Sequence, residues 1–242
     1  MFKPPLLHPE HCEHTFVHVK SIQDDTKDVY IARVCKVSVP KFAVLYGHGN
    51  SEDVSMMMRL IEFISKTYDA TVYAFEYAGY GPTQDDTKPS MSNCIDDAMT
   101  AFEYMKSIET TLPKVLWARS MGCSPIIKVA MVYEQDVQAI ILESPFISPL
   151  SIYLPFHFFG VENDFDSYYD IKKVNAPILF IHGDHDQVIR CSHSKDLFKL
   201  CPSIDKEIHL IEGASHNDLY SKQFQMIVHA HTSLFLNKHC KL

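Results

Sequence analysis

Lys114-Val115-Leu116-Trp117-Ala118-Arg119-Ser120-Met121-Gly122 is the stretch on which the reading of this chain turns. A short apolar run ends abruptly in a serine between small residues, and Cys123–Val132 then reads as a helix. Strand, sharp turn with Ser at its tip, then helix is the context of a nucleophile elbow. Such a turn is strained and admits only small neighbours, and its serine stands at the positive end of the following helix. The usual form is G-x-S-x-G; here it is Ala118-x-Ser120-x-Gly122. Alanine is the next smallest residue, so the crowding argument largely survives. Taken alone, Ser120 reads better as a helix-capping serine. Partners elsewhere in the chain have to decide.

The 242 residues, 46% hydrophobic and 12% aromatic, suffice for a full core. Folds mixing helix and parallel strand routinely form one domain of roughly 200–250 residues. The expectation is a loosely ordered tail at 1–13 followed by a single domain over 14–242. The net charge is -8, and no Lys or Arg run stands out. That argues against nucleic acid or an anionic membrane surface as the main partner. Seven cysteines are scattered with no C-x-x-C pair, which suggests free thiols in a reducing compartment and no zinc site.

No signal-peptide core precedes the domain, and Cys240 misses a prenylation box by one position. The expected location is cytoplasmic, with peripheral membrane contact as an alternative. The final Cys240-Lys241-Leu242 resembles a peroxisomal Ser-Lys-Leu address and supplies another. Ala139–Gly160 is long and apolar, but Glu143, His157 and prolines 145, 149 and 155 interrupt it. It reads as a buried strand and an irregular apolar loop, not a transmembrane segment.

His8, His11, Cys12, His14 and His18 crowd the N-terminal region without standard ligand spacing, so no metal is expected there. His14–Lys20 and Asp28–Val37 alternate around Gln23-Asp24-Asp25 and predict an antiparallel hairpin. Continuous apolar runs at 42–46, 71–75, 114–118, 137–142, 177–181 and 207–211 predict strands, most of them buried on both faces. Helical spacing of apolar residues at 53–66, a capped segment at 92–107 beginning on Ser92 or Asn93, and 220–237 predict helices between and after them. The alternation predicts an α/β fold with a mostly parallel central sheet flanked by helices. A short apolar insert follows the fourth parallel strand.

In such sheets ligands bind beyond the C-terminal ends of the strands. Gly47–Asn50, Arg119–Gly122, Asp184–Asp186 and Ser215–Asn217 all fall there, and this convergence carries more than any loop alone. A serine nucleophile needs a general base, and the base needs a carboxylate to orient it. Ser120 is followed in order by Asp186 and His216, with Asp184 a competing acid. His182 reads as a core histidine, His185 as solvent-facing, and Asp218 as a brace for the loop or a cap for the last helix. Backbone N–H groups of Met121 and Asn50 are the expected oxyanion donors. His48 is expected to tie its loop to the sheet. Phe146, Tyr153, Phe156 and Phe158 in the apolar insert are candidate substrate contacts, as an acyl-chain groove or a membrane-contacting lip. The plainer alternative is a short helix packed on the core.

Six segments together resemble the α/β-hydrolase domain-containing protein 17 family, whose members are acyl-protein thioesterases (depalmitoylases). They are His48-Gly49-Asn50, Phe75-Glu76-Tyr77-Ala78-Gly79-Tyr80-Gly81, Arg119-Ser120-Met121-Gly122 and Ile141-Leu142-Glu143-Ser144-Pro145. Ile181-His182-Gly183 through Asp186-Gln187-Val188-Ile189, and Glu212-Gly213-Ala214-Ser215-His216-Asn217-Asp218, complete the set. They lie in the family's order across residues 42–220. The resemblance implies the α/β-hydrolase fold, with Ser120, Asp186 and His216 on the family's nucleophile, acid and base. Ala118 replaces an elbow glycine, Glu143 stands where the family has histidine, and only Cys12 falls where the family has a palmitoylated cysteine-rich segment. The expected function is a serine hydrolase of acyl (thio)esters that needs no cofactor. Its partner would be an acylated protein or a small acyl-ester substrate. The alternatives are a small-ester or monoacylglycerol hydrolase, a peptidase, or a non-catalytic binding protein on the same fold.

Overall fold

The computed structural model describes residues 2–5, 16–84, 87–153 and 165–240. The chain divides into two compact units, Met1–Trp117 and Ala118–Leu242. The histidine-rich stretch 8–14 and residues 154–164 of the apolar insert lie outside the described residues.

In the first unit, β1 (Val17–Lys20) and β2 (Asp28–Cys35) form the expected hairpin, with Val17 opposite Ile31 and Lys20 opposite Asp28. Its loop is pinned by Lys27 and Ser21. The Lys27 ammonium lies 2.7 Å from Asp97 and 2.8 Å from Asp96, and the Ser21 hydroxyl donates to Asp96. β2 runs antiparallel to β4 (Ala70–Phe75), and β4 runs parallel to β3 (Phe42–Gly47). Every residue of β3 and β4 is buried, which is why both read as unbroken apolar runs. Helix α1 (Val54–Thr67) starts at Asp53, whose carboxylate accepts the Met56 N–H at 2.8 Å.

Helix α2 (Met91–Ile108) starts earlier than the sequence suggests. Ser90 has an extended backbone and its hydroxyl accepts the Asn93 N–H, so Ser90 is the cap rather than Ser92 or Asn93. Asp96 and Asp97 are buried in the ion pair with Lys27, a tertiary role that local pattern does not reveal.

The chain passes from the first unit to the second along β5 (Lys114–Arg119). In the second unit a tight turn at Ser120–Gly122 leads into α3 (Cys123–Val132). β6 (Val137–Glu143), β7 (Ile178–Gly183) and β8 (Lys206–Ile211) then pair in parallel, with Ile140 opposite Ile178 and Gly183 opposite Ile211. Between β6 and β7 lie the short α4 (Pro149–Tyr153) and α5 (Ser167–Asp170).

Helix α6 (Ser192–Leu200) was not legible because its buried face is mostly polar: His193 and Ser194 are buried beside Leu197. Helix α7 (Gln225–His239) starts five residues later than expected. Residues 218–224 instead form successive turns, in which Ser221 donates to the Asp218 carbonyl and Phe224 to the Ser221 carbonyl. No helix among the described residues is long and apolar enough to cross a membrane.

Candidate active site

Three loops of the second unit follow the C-terminal ends of β5, β7 and β8, and each brings one candidate residue. Ser120 sits at the tip of the turn after β5 with φ +53°, the left-handed region that costs an L-residue about 1–2 kcal/mol. Strain of this kind persists only where its surroundings impose it. It lifts the hydroxyl off the strand line just before α3 begins.

The Ser120 hydroxyl lies 3.1 Å from Nε2 of His216, and Nδ1 of that ring lies 2.6 Å from Asp186 Oδ2. An ionised carboxylate only accepts, so Nδ1 carries the proton and Nε2 is left to accept from Ser120. All three side chains are enclosed: Ser120, Asp186 and His216 belong to residues that are 8%, 5% and 9% exposed.

Asp186 is held as an anion. Burial alone would push its carboxyl up. Hydrogen bonds from His182 and His216, the charge of His216 and the Ile189 N–H outweigh burial and hold it well below the usual carboxylate range. Its Oδ1 accepts the N–H groups of Val188 and Ile189, each at 2.8 Å.

Asp184, the competing acid, does a different job. Its Oδ1 accepts the Gly213 N–H at 2.7 Å and so ties the β7 loop to the β8 turn. His185 N–H reinforces that link by donating to the Ala214 carbonyl. Gly183 permits the close approach: a Cβ there would stand 2.3 Å from the Ala214 carbonyl oxygen. Asp218 braces the histidine loop by accepting the Ser215 N–H at 2.7 Å.

Two further supports were missed from sequence. The Arg119 guanidinium donates to the His216 carbonyl at 3.0 Å and to Asn217 Oδ1 at 2.7 Å, clamping the histidine loop to the elbow. Tyr220 donates its hydroxyl to Glu143 at the end of β6. An arginine directly before the nucleophile was the available signal for the first. Nothing local marks the second.

Met121 follows Ser120 in the turn, its side chain buried. Asn50 lies in the first unit just after β3, where its side-chain oxygen accepts from the Tyr80 hydroxyl at 2.7 Å and the Lys3 N–H at 2.9 Å. His48 is buried in the same loop, bonded to Glu76 and to the Gly49 carbonyl, and so ties the loop to the end of β4. Phe146 is a buried side chain. Tyr153 ends α4, and Phe156 and Phe158 lie outside the described residues. His182 is wholly buried and His185 is exposed. No group of three or more His, Cys, Asp or Glu among the described residues is placed to hold a metal ion.

Among the described residues, strands that pair mostly in parallel, with a strained serine between strand and helix, define an α/β hydrolase. The chain belongs to the family described as serine aminopeptidase, S33, whose model matches residues 38–159 and 168–223. It is similar to the α/β hydrolase domain-containing protein aho-3 of Caenorhabditis elegans, 32% identical over 186 residues, covering 74% of this chain and 53% of that protein. It is also similar to α/β hydrolase domain-containing protein 17C of Xenopus tropicalis, 31% identical over 185 residues, covering 74% of this chain and 57% of that protein. The chain thus spans about half the length of the curated relatives it matches. Among solved structures, an esterase of Pyrococcus furiosus superposes with a TM-score of 0.76 at 14% identity, covering 99% of this chain and 100% of that one. A soluble variant of monoglyceride lipase from Saccharomyces cerevisiae superposes at 0.71 and 18% identity, covering 98% and 99%. These two likenesses establish the fold.

Proposed function

We propose that the chain is a serine hydrolase of acyl thioesters, acting on acylated protein cysteines. The observation that carries the chemistry is the linked pair of distances, 3.1 Å from Ser120 Oγ to His216 Nε2 and 2.6 Å from His216 Nδ1 to Asp186. In the first step Ser120 Oγ bonds to the acyl carbonyl carbon while its proton passes to His216 Nε2. Asp186 keeps the Nδ1 proton in place and stabilises the imidazolium that forms. The Met121 N–H donates to the developing oxyanion, aided by the positive end of α3. The C–S bond then breaks as His216 Nε2 passes its proton to the departing sulfur, which leaves as the thiol. Water attacks the acyl-enzyme and gives up a proton to His216. The bond from Ser120 Oγ to the acyl carbon then breaks, His216 returns that proton to Oγ, and the carboxylic acid is released.

The thioester part of the reading rests on the resemblance to acyl-protein thioesterases across residues 42–220. It also fits the leaving group. A cysteine thiol, with an ordinary pKa of about 8.5, departs with far less acid assistance than an alcohol. The test is kcat/KM over matched acyl-chain lengths presented as thioesters of a cysteine peptide and as p-nitrophenyl esters. The reading expects activity to rise with chain length on the thioester. A flat thioester profile beside efficient short-chain ester hydrolysis counts against it.

A further inference from the structure

We propose that His182 and Ser194 are positioning residues for the triad acid, extending the hydrogen-bonded line Ser120–His216–Asp186 by two buried groups. The inference rests on the reading of those three as a catalytic triad. His182 is the last-but-one residue of β7 and is wholly buried, yet it is a polar side chain with both ring nitrogens engaged. Its Nε2 lies 2.8 Å from the Ile189 carbonyl oxygen and 3.2 Å from Asp186 Oδ2. Both partners can only accept, so Nε2 carries a proton. Its Nδ1 lies 2.6 Å from the Ser194 hydroxyl, itself wholly buried on α6. A neutral ring with Nε2–H, accepting from Ser194 at Nδ1, satisfies every atom and places no second charge in the core.

Two consequences follow for Asp186. The first is geometric. His182 straps the strand to the loop that carries Asp186, bridging the Ile189 carbonyl and the carboxylate. The Val188 and Ile189 N–H groups on Oδ1 and His216 on Oδ2 give the carboxylate three donors, and the His182 Nε2–H, given mainly to the Ile189 carbonyl, stands 3.2 Å from Oδ2 and limits its freedom to turn. The second is electrostatic. The His182 Nε2–H dipole beside Oδ2 offsets part of the carboxylate charge that the His216 ring otherwise faces. Among the described residues, charged or titratable groups near this line include Arg190, His193 and Asp196 on the α6 side, Asp184 and His185 on the loop that carries Asp186, and Arg119 at the His216 carbonyl. His193 is itself buried, its Nδ1 3.4 Å from the Ile147 N–H.

The experiment uses the full chain, with kcat and KM measured from pH 4.5 to 8.5 on a p-nitrophenyl ester that the wild type turns over. The variants are His182→Leu, His182→Gln, Ser194→Ala and Ser120→Ala, each with its thermal unfolding curve. His182→Leu is expected to lose ~10–100-fold in kcat, as for a hydrogen bond to a charged group, with KM within about threefold. Its acid limb should move to higher pH, because the unshared Asp186 charge stabilises the His216 imidazolium more. His182→Gln, whose amide N–H reaches about where Nε2–H stands, should recover most of the rate and the wild-type limb. Ser194→Ala should fall between.

A folded His182→Leu with the wild-type rate and limb overturns the proposal. So does a slowed His182→Leu whose limb is unmoved and which His182→Gln does not improve, because packing alone then explains it. If His182→Leu does not fold, Ser194→Ala decides: an unchanged rate and limb overturn the proposal. Ser120→Ala keeps the two levels apart. Full turnover in that variant sinks the triad itself, whereas loss there beside an unaffected His182→Leu sinks only this inference.

Discussion

Replacing Asp186 by Asn is the sharpest test of which carboxylate orients His216. Asparagine nearly matches aspartate in shape, and its amide oxygen can still accept the Val188 and Ile189 N–H groups that Oδ1 now takes at 2.8 Å. Its amide nitrogen then faces His216 Nδ1 where Oδ2 stands at 2.6 Å. A donor there forces Nδ1 to become the acceptor and puts the ring proton on Nε2, pointing at Ser120. The base then holds its proton on the wrong nitrogen, and no anion faces the imidazolium. A triad acid lost this way costs about 10⁴-fold in kcat. That corresponds to about 5.4 kcal/mol at 1.36 kcal/mol per decade. The control is Asp184→Asn, which keeps an oxygen for the Gly213 N–H and should stay within about threefold, as a surface change does. The assay is the initial rate at saturating p-nitrophenyl ester and pH 7.5, with unfolding curves to show that both variants fold. Equal losses in the two variants, or an Asp186→Asn rate within about tenfold of wild type, would refute the reasoning. Stability adds a second readout. The native carboxyl is held below its unfolded value, so the stabilisation it brings is present above about pH 4 and fades as pH falls through the native value. The stability gap between wild type and Asp186→Asn should therefore narrow in acid.

Lys27→Met leaves Asp96 and Asp97 buried without their cation and should cost about 3–5 kcal/mol at pH 7.5 in urea unfolding. Burial already pushes Asp97 up to about 6 against the pull of Lys27, so protonation should make the loss smaller at pH 5; an equal loss at both pH values contradicts this. Gly183→Ala would set a Cβ 2.3 Å from the Ala214 carbonyl oxygen, between the loops that carry Asp186 and His216. It should cost about 1–3 kcal/mol by overpacking and lower kcat as well; full activity would show that the two loops tolerate separation. Arg119→Met keeps the apolar stem but loses the clamp on His216 and Asn217, and should slow kcat about tenfold, with unchanged kcat as the contrary result.

β3, β4, β5 and β7 are apolar runs buried throughout or nearly so, which made them legible, and Ser120 and Asp186 sit in the loops after β5 and β7. His216 follows β8, a half-buried strand, and was marked instead by its place in chain order after Ser120 and Asp186. What sequence could not show is what depends on partners distant along the chain. Helix α6 hid because its buried face carries His193 and Ser194 instead of leucines. The cap of α2 was misplaced because Ser90, Ser92 and Asn93 are all good capping residues, and only the hydrogen bond from the Asn93 N–H to the Ser90 hydroxyl separates them. Asp184 and Asp186 were separated only once Gly213 and His216 were seen to take one each. His182 was read as a core histidine, and it is buried; its contact with Asp186 became visible only in three dimensions.

The central claim is that Ser120 is the nucleophile. Treating the intact protein with a fluorophosphonate and locating the adduct by peptide mass spectrometry tests it directly. The account predicts one stoichiometric adduct, on Ser120, absent from Ser120→Ala and much slower to form in His216→Gln. No adduct on the folded wild-type protein, or an adduct on another serine that persists in Ser120→Ala, would contradict it.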